Sequence, residues 1–308
     1  MGTAPESVPF LKGHGTENDF VIIPAPDGRL TLGPEDVARL CDRRAGIGGD
    51  GLLRVVRSAA EPAAGALADE AEWFMDYRNA DGSVAEMCGN GLRVFAHYLR
   101  HAGLTEDERL PVATRAGLRW AVLGERDERA GRGGASQVTV TMGRARLPAG
   151  PEASVTVTVP GHTWPAHHVD MGNPHAVAFV TDLADAGTLT EAPTVAPGSA
   201  YPHGTNVEFV VDRGERHVAL RVHERGSGET RSCGTGACAV MVATARRDGH
   251  DPAAEGRPVD YTVDVPGGRL LISEAPDGTI TMTGPAVIVA EGTLAPGLLP
   301  TASRAEAG

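Results

Sequence analysis

Lysine is almost absent. Lys12 is the only one in 308 residues, so 27 of the 28 basic side chains are arginines. A P-loop needs Gly-Lys-Ser/Thr, and Lys12 is followed by Gly13 and His14, which excludes phosphate cradling of that kind. A pyridoxal phosphate Schiff base would have Lys12 as its sole candidate. The arginine bias, alongside much Ala, Gly and Pro, reflects codon composition. Cysteine is also scarce: Cys41, Cys88, Cys233 and Cys238 are too few for a disulfide framework and are expected as reduced thiols. Zinc calls for close pairs such as C-x-x-C, whereas Cys233 and Cys238 lie five apart, so no metal site is expected. Long apolar runs are missing as well. No stretch approaches the ~20 residues of a spanning helix, and Met1 to Pro9 lacks the basic, apolar and small-residue succession of a signal peptide. With 40 acidic residues the net charge is −12 and the pI about 5.4, which repels phosphate backbones and anionic lipid headgroups. A soluble cytoplasmic protein with neither nucleic acid nor membrane as partner is expected.

What is present describes a folded chain. Hydrophobic residues make up 41% against 22% charged, and 308 residues correspond to two domains at roughly 100–200 residues each. Strand patterns occur at Asp19–Ile23, Leu52–Arg57, Glu72–Tyr77, Arg119–Leu123 and Gln137–Met142, with helices at Pro34–Arg44 and Gly91–His101. Ser58–Ala71 reads as a long hairpin loop, Glu125–Ser136 as a turn and Pro296–Gly308 as a frayed tail. The second half repeats the grammar, with strands at Ser154–Val159, His167–Met171, Ala176–Val180, Val207–Val211 and Val218–His223. A helix from Gly234 to about Arg246 and strands at Tyr261–Val265, Leu270–Ser273 and Ile280–Thr283 complete it. Strands outnumber helices without regular interleaving, which argues for an α+β fold of mixed or antiparallel sheet.

The repeat is sharpest at Cys88-Gly89-Asn90-Gly91 and Cys233-Gly234-Thr235-Gly236, two C-G-x-G motifs 145 residues apart, each opening a helix. The second helix, through Ala237-Cys238-Ala239-Val240-Met241-Val242-Ala243, is apolar on every face and is expected to be buried all round. Two pseudo-symmetric halves, each a sheet curled around a central helix, satisfy both observations. A thiol at a helix start lies beside unpaired amides and the positive dipole end, which lowers its pKa from about 8.5 toward roughly 3.5–7.5. The same amides bind carboxylates, and the glycines let a ligand come close. One thiolate and one thiol on opposite faces of an amino or hydroxy acid would meet the requirement for inverting a stereocentre. A tight turn around a packed small residue is the plain alternative for one such motif; Cys41 and Cys238 lack the glycines and read as core.

Ordered along the chain, further segments extend this pattern: His14-Gly15-Thr16-Glu17-Asn18-Asp19-Phe20, Asn79-Ala80-Asp81-Gly82-Ser83, Met87 to Gly91 and Met171-Gly172-Asn173-Pro174-His175. Asn206, Glu224-Arg225-Gly226-Ser227-Gly228-Glu229-Thr230, Cys233 to Ala237 and Val265-Pro266-Gly267-Gly268 follow. In these segments, which span almost the whole chain, the sequence resembles the diaminopimelate epimerases, cofactor-independent two-cysteine enzymes of lysine and peptidoglycan precursor synthesis. The resemblance implies a homodimer acting on diaminopimelate, with an N-terminal half of residues 1–141 completed by a return segment 285–308 and a C-terminal half of residues 142–284. It implies Cys88 as proton donor and Cys233 as acceptor in the L,L to meso direction, with His175 and Glu224 tuning the thiols. Asn18, Asn79, Asn173, Asn206, Glu224 and Arg225 would hold the substrate, and Gly89, Asn90, Gly234 and Thr235 would form the backbone cradles. No cofactor and no metal are implied.

One departure, two incomplete motifs and two rival readings bear on this. Gly51 falls where some members carry a substrate-contacting glutamine, a contact glycine cannot make. Gly46 to Gly51 spells G-x-G-x-x-G but follows a helix pattern and precedes a strand, the reverse of a dinucleotide fingerprint. His223-Glu224 begins an H-E-x-x-H motif that fails at Ser227. A proline racemase or hydroxyproline epimerase would use the same two cysteines, and Asn79, Asn206 and Arg225 argue against it because a bare pyrrolidine needs no distal polar contacts. A dithiol redox protein would instead pair Cys88 with Cys233.

Overall fold

Alternating burial governs the strands: in Ala153–Val159 and Val259–Val265 every second side chain is buried, the mark of sheets with one face on a core. The computed structural model describes residues 7–126, 135–295, 297–299 and 303–304. Most of the turn expected at Glu125–Ser136 and of the tail expected from Pro296 lies outside the described residues. The chain divides into two units, Met1–Val140 with Pro285–Gly308 and Thr141–Gly284.

In the first unit the sheet runs from the later part of Thr279–Thr293 through Pro9–Gly15, Asn18–Pro24, Gly51–Arg57, Trp73–Asn79, Arg109–Thr114 and Gly117–Arg126 to Ser136–Arg144. Neighbours are antiparallel except at Asn18–Pro24 with Gly51–Arg57 and Trp73–Asn79 with Arg109–Thr114. In the second unit it runs through Ala153–Val159, His162–Asp170, Pro174–Phe179, Asn206–Gly214, His217–Glu224, Val259–Val265, Gly268–Glu274 and the early part of Thr279–Thr293. Parallel joints again fall third and fifth, at Pro174–Phe179 with Asn206–Gly214 and His217–Glu224 with Val259–Val265. The two units therefore repeat one succession of pairings.

Parallel joints need crossovers. Helix α1 (Pro34–Cys41) lies in the first crossover of the first unit and α2 (Gly89–His101) in the second; α3 (Gly234–Arg247) and the short α4 (Pro252–Glu255) lie in the second crossover of the other unit. Helix α3 is buried at Gly234 and from Gly236 through Ala245, and it contacts strands Pro174–Phe179, Asn206–Gly214, Val259–Val265 and Gly268–Glu274, as its all-round apolar sequence requires. Cys41 and Cys238 are core residues.

Several boundaries differ from the sequence expectation for local reasons. Helix α1 stops at Cys41 rather than Arg44 because Asp42 turns extended and its Oδ1 accepts the amides of Arg44 and Ala45, both at 2.7 Å. Helix α2 begins at Gly89 rather than Gly91, capped by the Cys88 sulfur. Pro9–Gly15 is a strand that hydrophobic alternation does not reveal, since its inward positions are Leu11, Gly13 and Gly15. Gly13 gives α2 room: a Cβ there would sit 3.1 Å from Val94 Cγ1. Within Ser58–Ala71 the chain forms two 3₁₀ turns, Ser58–Ala60 and Pro62–Leu67.

Strand Trp73–Asn79, which delivers Asn79, is anchored by a buried charge cluster. Asp76 is 2% exposed and pairs with Arg54 at 2.9 Å, Arg78 at 2.8 Å and Arg115 at 2.7 Å. Burial raises its carboxyl, but the three guanidiniums outweigh that and hold it below its ordinary value. Asp76→Ala leaves Arg78 and Arg115 without this carboxylate, Arg54 keeping Glu61, and should cost about 3–5 kcal/mol in denaturant unfolding. Because the folded pKa is depressed, the Asp76 contribution is present above about 4, the unfolded value, and is lost as pH falls through the folded one. The difference between wild type and Asp76→Ala should shrink accordingly in acid.

Candidate active site

Each unit presents a cysteine in the same backbone setting. Cys88 and Cys233 are extended N-caps (φ −139° and −111°), and each sulfur accepts the amide three residues on, from Gly91 and from Gly236, both at 3.4 Å. All four cysteines are thiols.

Around Cys88 the neighbours are amides. Its Sγ lies 3.8 Å from Asn18 Oδ1, which also accepts Asn90 Nδ2 at 3.2 Å. Asn18 Nδ2 donates to Asp50 Oδ2 at 2.8 Å, so Asp50 turns the carbonyl end of Asn18 toward the sulfur. Arg43 donates to both Asp19 and Asp50, and Lys12 pairs with Asp19 at 2.6 Å and donates to the Gly48 carbonyl. Burial would raise the Asp19 carboxyl, but hydrogen bonds from Arg43 and Lys12 hold it well below the usual range. Asn18 follows a two-residue hairpin whose central Thr16 and Glu17 both have positive φ, 50° and 61°, a turn usually given to Asn-Gly. Thr16 Oγ1 accepts from the fully buried Arg93 at 3.1 Å, and Arg93 also donates to Asn90 Oδ1 at 2.8 Å, so one guanidinium ties the turn to the helix start.

Asn79 faces Gly51 across the strand pair and is oriented by Tyr77, whose hydroxyl donates to Asn79 Oδ1 at 3.0 Å, while Asn79 Nδ2 donates to Ser83 at 2.9 Å. A Cβ on Gly51 would lie 2.6 Å from the Arg78 carbonyl and 2.8 Å from Tyr77 Cε2. The absence of a side chain at Gly51 therefore admits both the Arg78 carbonyl and the Tyr77 ring.

Around Cys233 the neighbours are charged. Its sulfur feels the Glu224 charge and lies 3.5 Å from Thr235 Oγ1, and Glu224 accepts the Thr230 hydroxyl. Asn173 Nδ2 donates to Thr235 Oγ1 at 3.3 Å, and Asn173 Oδ1 lies 3.1 Å from His175 Nε2. The other ring nitrogen of His175 is 2.6 Å from Glu208 Oε1, and both side chains are fully buried. Asn206 is held at both ends, donating to the Pro174 carbonyl at 3.2 Å and accepting the Arg225 amide at 2.9 Å, so it fixes the backbone that presents the exposed Arg225.

The helix-start expectation of a lowered thiol pKa fails at Cys233. Burial pushes the thiol well above its ordinary value, and the Glu224 and Glu208 charges add to this; Thr235 and the Gly236 amide oppose it without prevailing. Burial likewise raises the Glu224 carboxyl, while Thr230 and Cys233 act to lower it. Burial and the neighbouring acids thus favour the thiol form of Cys233.

The structure brings together Cys88, Asn18 and Asn90 in one unit, with Gly89 at the start of α2, and Cys233, Thr235, Asn173, His175 and Glu224 in the other, with Gly234 at the start of α3. The sequence reading misses Asp50, Arg93, Tyr77 and Glu208. Asp50, inside the glycine-rich stretch, and Glu208, an acid within the run Val207–Val211, had local signals; Arg93 and Tyr77 had none. Among the described residues no group of three or more His, Cys, Asp or Glu side chains is placed to hold a metal, and no helix is long and apolar enough to cross a membrane.

Comparison with known proteins places this site in context. A hydroxyproline epimerase from Agrobacterium vitis shares the fold, with a TM-score of 0.62, 16% identity, and 96% of this chain and 92% of that one covered. The family pattern for diaminopimelate epimerase matches residues 10–148 and 167–289. Diaminopimelate epimerase of Streptomyces coelicolor is 67% identical over 92% of this chain and 94% of its own, and that of Rhodococcus jostii is 46% identical over 92% and 96%. The chain belongs to the diaminopimelate epimerase family.

Alkylation by iodoacetamide, followed by peptide mass spectrometry against pH, should report the Cys233 environment. Half-maximal modification of Cys233 is expected above the ordinary thiol value, and Glu224→Gln, by removing a neighbouring negative charge, should move it down by about one unit. An unchanged midpoint would show that Glu224 does not act on the sulfur.

Proposed function

We propose that this isomerase interconverts L,L- and meso-diaminopimelate by a two-base reaction without pyridoxal phosphate, supplying meso-diaminopimelate for lysine and peptidoglycan precursors. The observation that carries the mechanism is the duplicated cysteine N-cap, with the Glu224 carboxylate acting on one of the two sulfurs. Inversion needs one group to take the α-proton and another to return one to the opposite face. In the L,L to meso direction Cys233 passes its proton to Glu224, and the resulting thiolate takes the α-proton. Cys88 returns its own proton, and in the reverse direction the roles exchange. The amides of Gly89, Asn90, Gly234 and Thr235 are assigned to the substrate carboxylate at the helix starts. Asn18, Asn79, Asn173, Asn206 and Arg225 are assigned to its polar groups. Lys12 is engaged by Asp19 and the Gly48 carbonyl, which does not suit a Schiff-base role. A cytoplasmic homodimer completes the reading; Val122 and Val289, 40% and 55% exposed in the first unit, are apolar positions that a second copy would cover.

Proton NMR of the reduced protein with L,L-diaminopimelate in D₂O should show the meso isomer carrying solvent deuterium at one α-carbon, and no exchange with L-proline. Exchange with proline alone would move the protein to the racemase branch. Cys88→Ala and Cys233→Ala should each lower kcat/KM by roughly 10²–10⁴-fold or more with the fold retained, because each removes one of two obligatory proton carriers. Near-full turnover in either variant would sink the two-base reading.

A further inference from the structure

Asp50 takes no part in the reaction as written, yet it stands at one end of a chain of side-chain hydrogen bonds that passes the Cys88 sulfur. Its two oxygens are held separately. Oδ2 accepts the Asp19 backbone amide at 3.2 Å and Asn18 Nδ2 at 2.8 Å, and Oδ1 accepts Arg43 at 2.7 Å. At the other end the fully buried Arg93 donates to Asn90 Oδ1 at 2.8 Å, and Asn90 Nδ2 donates to Asn18 Oδ1 at 3.2 Å.

We propose that Asp50 is a positioning residue of the Cys88 site: by engaging the NH₂ of Asn18 it keeps the Asn18 oxygen, and not the nitrogen, against the sulfur, so that the Cys88 thiol has an acceptor for its proton. The direction of the chain is fixed by its ends. A guanidinium only donates, so the Asn90 atom that faces Arg93 is its oxygen, and its NH₂ is left for Asn18. A carboxylate paired with Arg43 only accepts, so the Asn18 atom that faces Asp50 is its nitrogen. Both ends impose the same orientation, which puts Asn18 Oδ1 3.8 Å from Cys88 Sγ. No hydroxyl, able to donate or accept, stands between them. The Asp50 end is the firmer, because a charge-assisted bond is roughly twice as strong as one between two amides.

An oxygen at the sulfur accepts from S–H and repels S⁻, so it favours the thiol. The Gly91 amide and the start of α2 act the other way. Among the charged groups at this end of the unit, Asp19 and Asp50 are paired with Lys12 and Arg43, and Arg93 lies on α2 behind Asn90. Burial holds the His14 imidazole below its ordinary value, so it is neutral where thiols titrate. Asn18, oriented by Asp50, is then what opposes the helix start at Cys88 and keeps a proton on the sulfur. That this proton is the one returned to the α-carbon rests on the epimerase reading.

Iodoacetamide alkylation of the half-buried Cys88, followed by peptide mass spectrometry against pH, tests this without substrate. In Asp50→Ala the Asn18 amide loses its firmer tie, and the half-maximal pH should fall by about half a unit to one unit, the worth of one hydrogen bond to the neutral thiol. Asp50→Asn separates orientation from charge. The Asp19 amide calls for an oxygen at the Oδ2 position, so the new side chain still accepts Asn18 Nδ2 while carrying no charge, and its midpoint should stay with the wild type. Asn18→Ala removes the acceptor itself and should lower the midpoint at least as far as Asp50→Ala, which keeps the proposal falsifiable if Asp50→Ala does not fold. Equal shifts in Asp50→Asn and Asp50→Ala would reveal a direct effect of charge and overturn the proposal, as would an unmoved midpoint in Asp50→Ala or Asn18→Ala. A protein that failed to epimerise diaminopimelate would overturn only the reaction assigned to Cys88, since these midpoints involve no substrate.

Discussion

Two hydrogen bonds organise the chemistry, those from the Gly91 and Gly236 amides to the sulfurs of Cys88 and Cys233. Each fixes a thiol at the one place in a helix where amides point outward without intrahelical partners. A side chain at an N-cap is ordinarily Ser, Thr, Asp or Asn, because oxygen accepts the amide best. Sulfur is a weak acceptor, so a cysteine there sacrifices some cap strength to hold a thiol at the helix start. The two glycines that follow each cysteine keep the approach open, and strands pack around each helix.

That requirement explains why the sheets have the form they do. A helix held by its start must be enclosed along its length, and the succession of antiparallel and parallel joints that repeats in the two units encloses α2 and α3 in the same manner. Small inward residues allow it: Leu11, Gly13 and Gly15 line the face of Pro9–Gly15 that meets α2, and a side chain on Gly13 would collide with Val94. The Arg54, Arg78 and Arg115 cluster on Asp76 pins the strand leading to Asn79 in the same spirit.

The elements legible in the sequence are those whose signal is local and apolar. The all-apolar α3 and the alternating strands of the second half need no tertiary information to be read. The unread elements have signals that depend on partners. Pro9–Gly15 hides its inward face in glycines, and α1 ends where it does because of one Asp42 carboxylate. The site divides likewise. Residues inside short motifs around the cysteines were visible, whereas Glu208, Arg93 and Tyr77 act across strands or turns that no linear spacing joins. Gly51 shows the limit of reading a departure by itself: its missing side chain is the space that Tyr77 fills.

The repeat supplies equal backbones and the side chains make them unequal. Cys88 is met by the carbonyl end of Asn18, turned toward it by Asp50, so its first neighbour is a neutral acceptor for a thiol proton. Cys233 is met by Glu224 with Glu208 behind, so a thiolate there would form beside negative charge. The same helix dipole and the same amide face each sulfur, and what differs is what stands next to it: an amide fixed by an acid at Cys88, and two acids at Cys233.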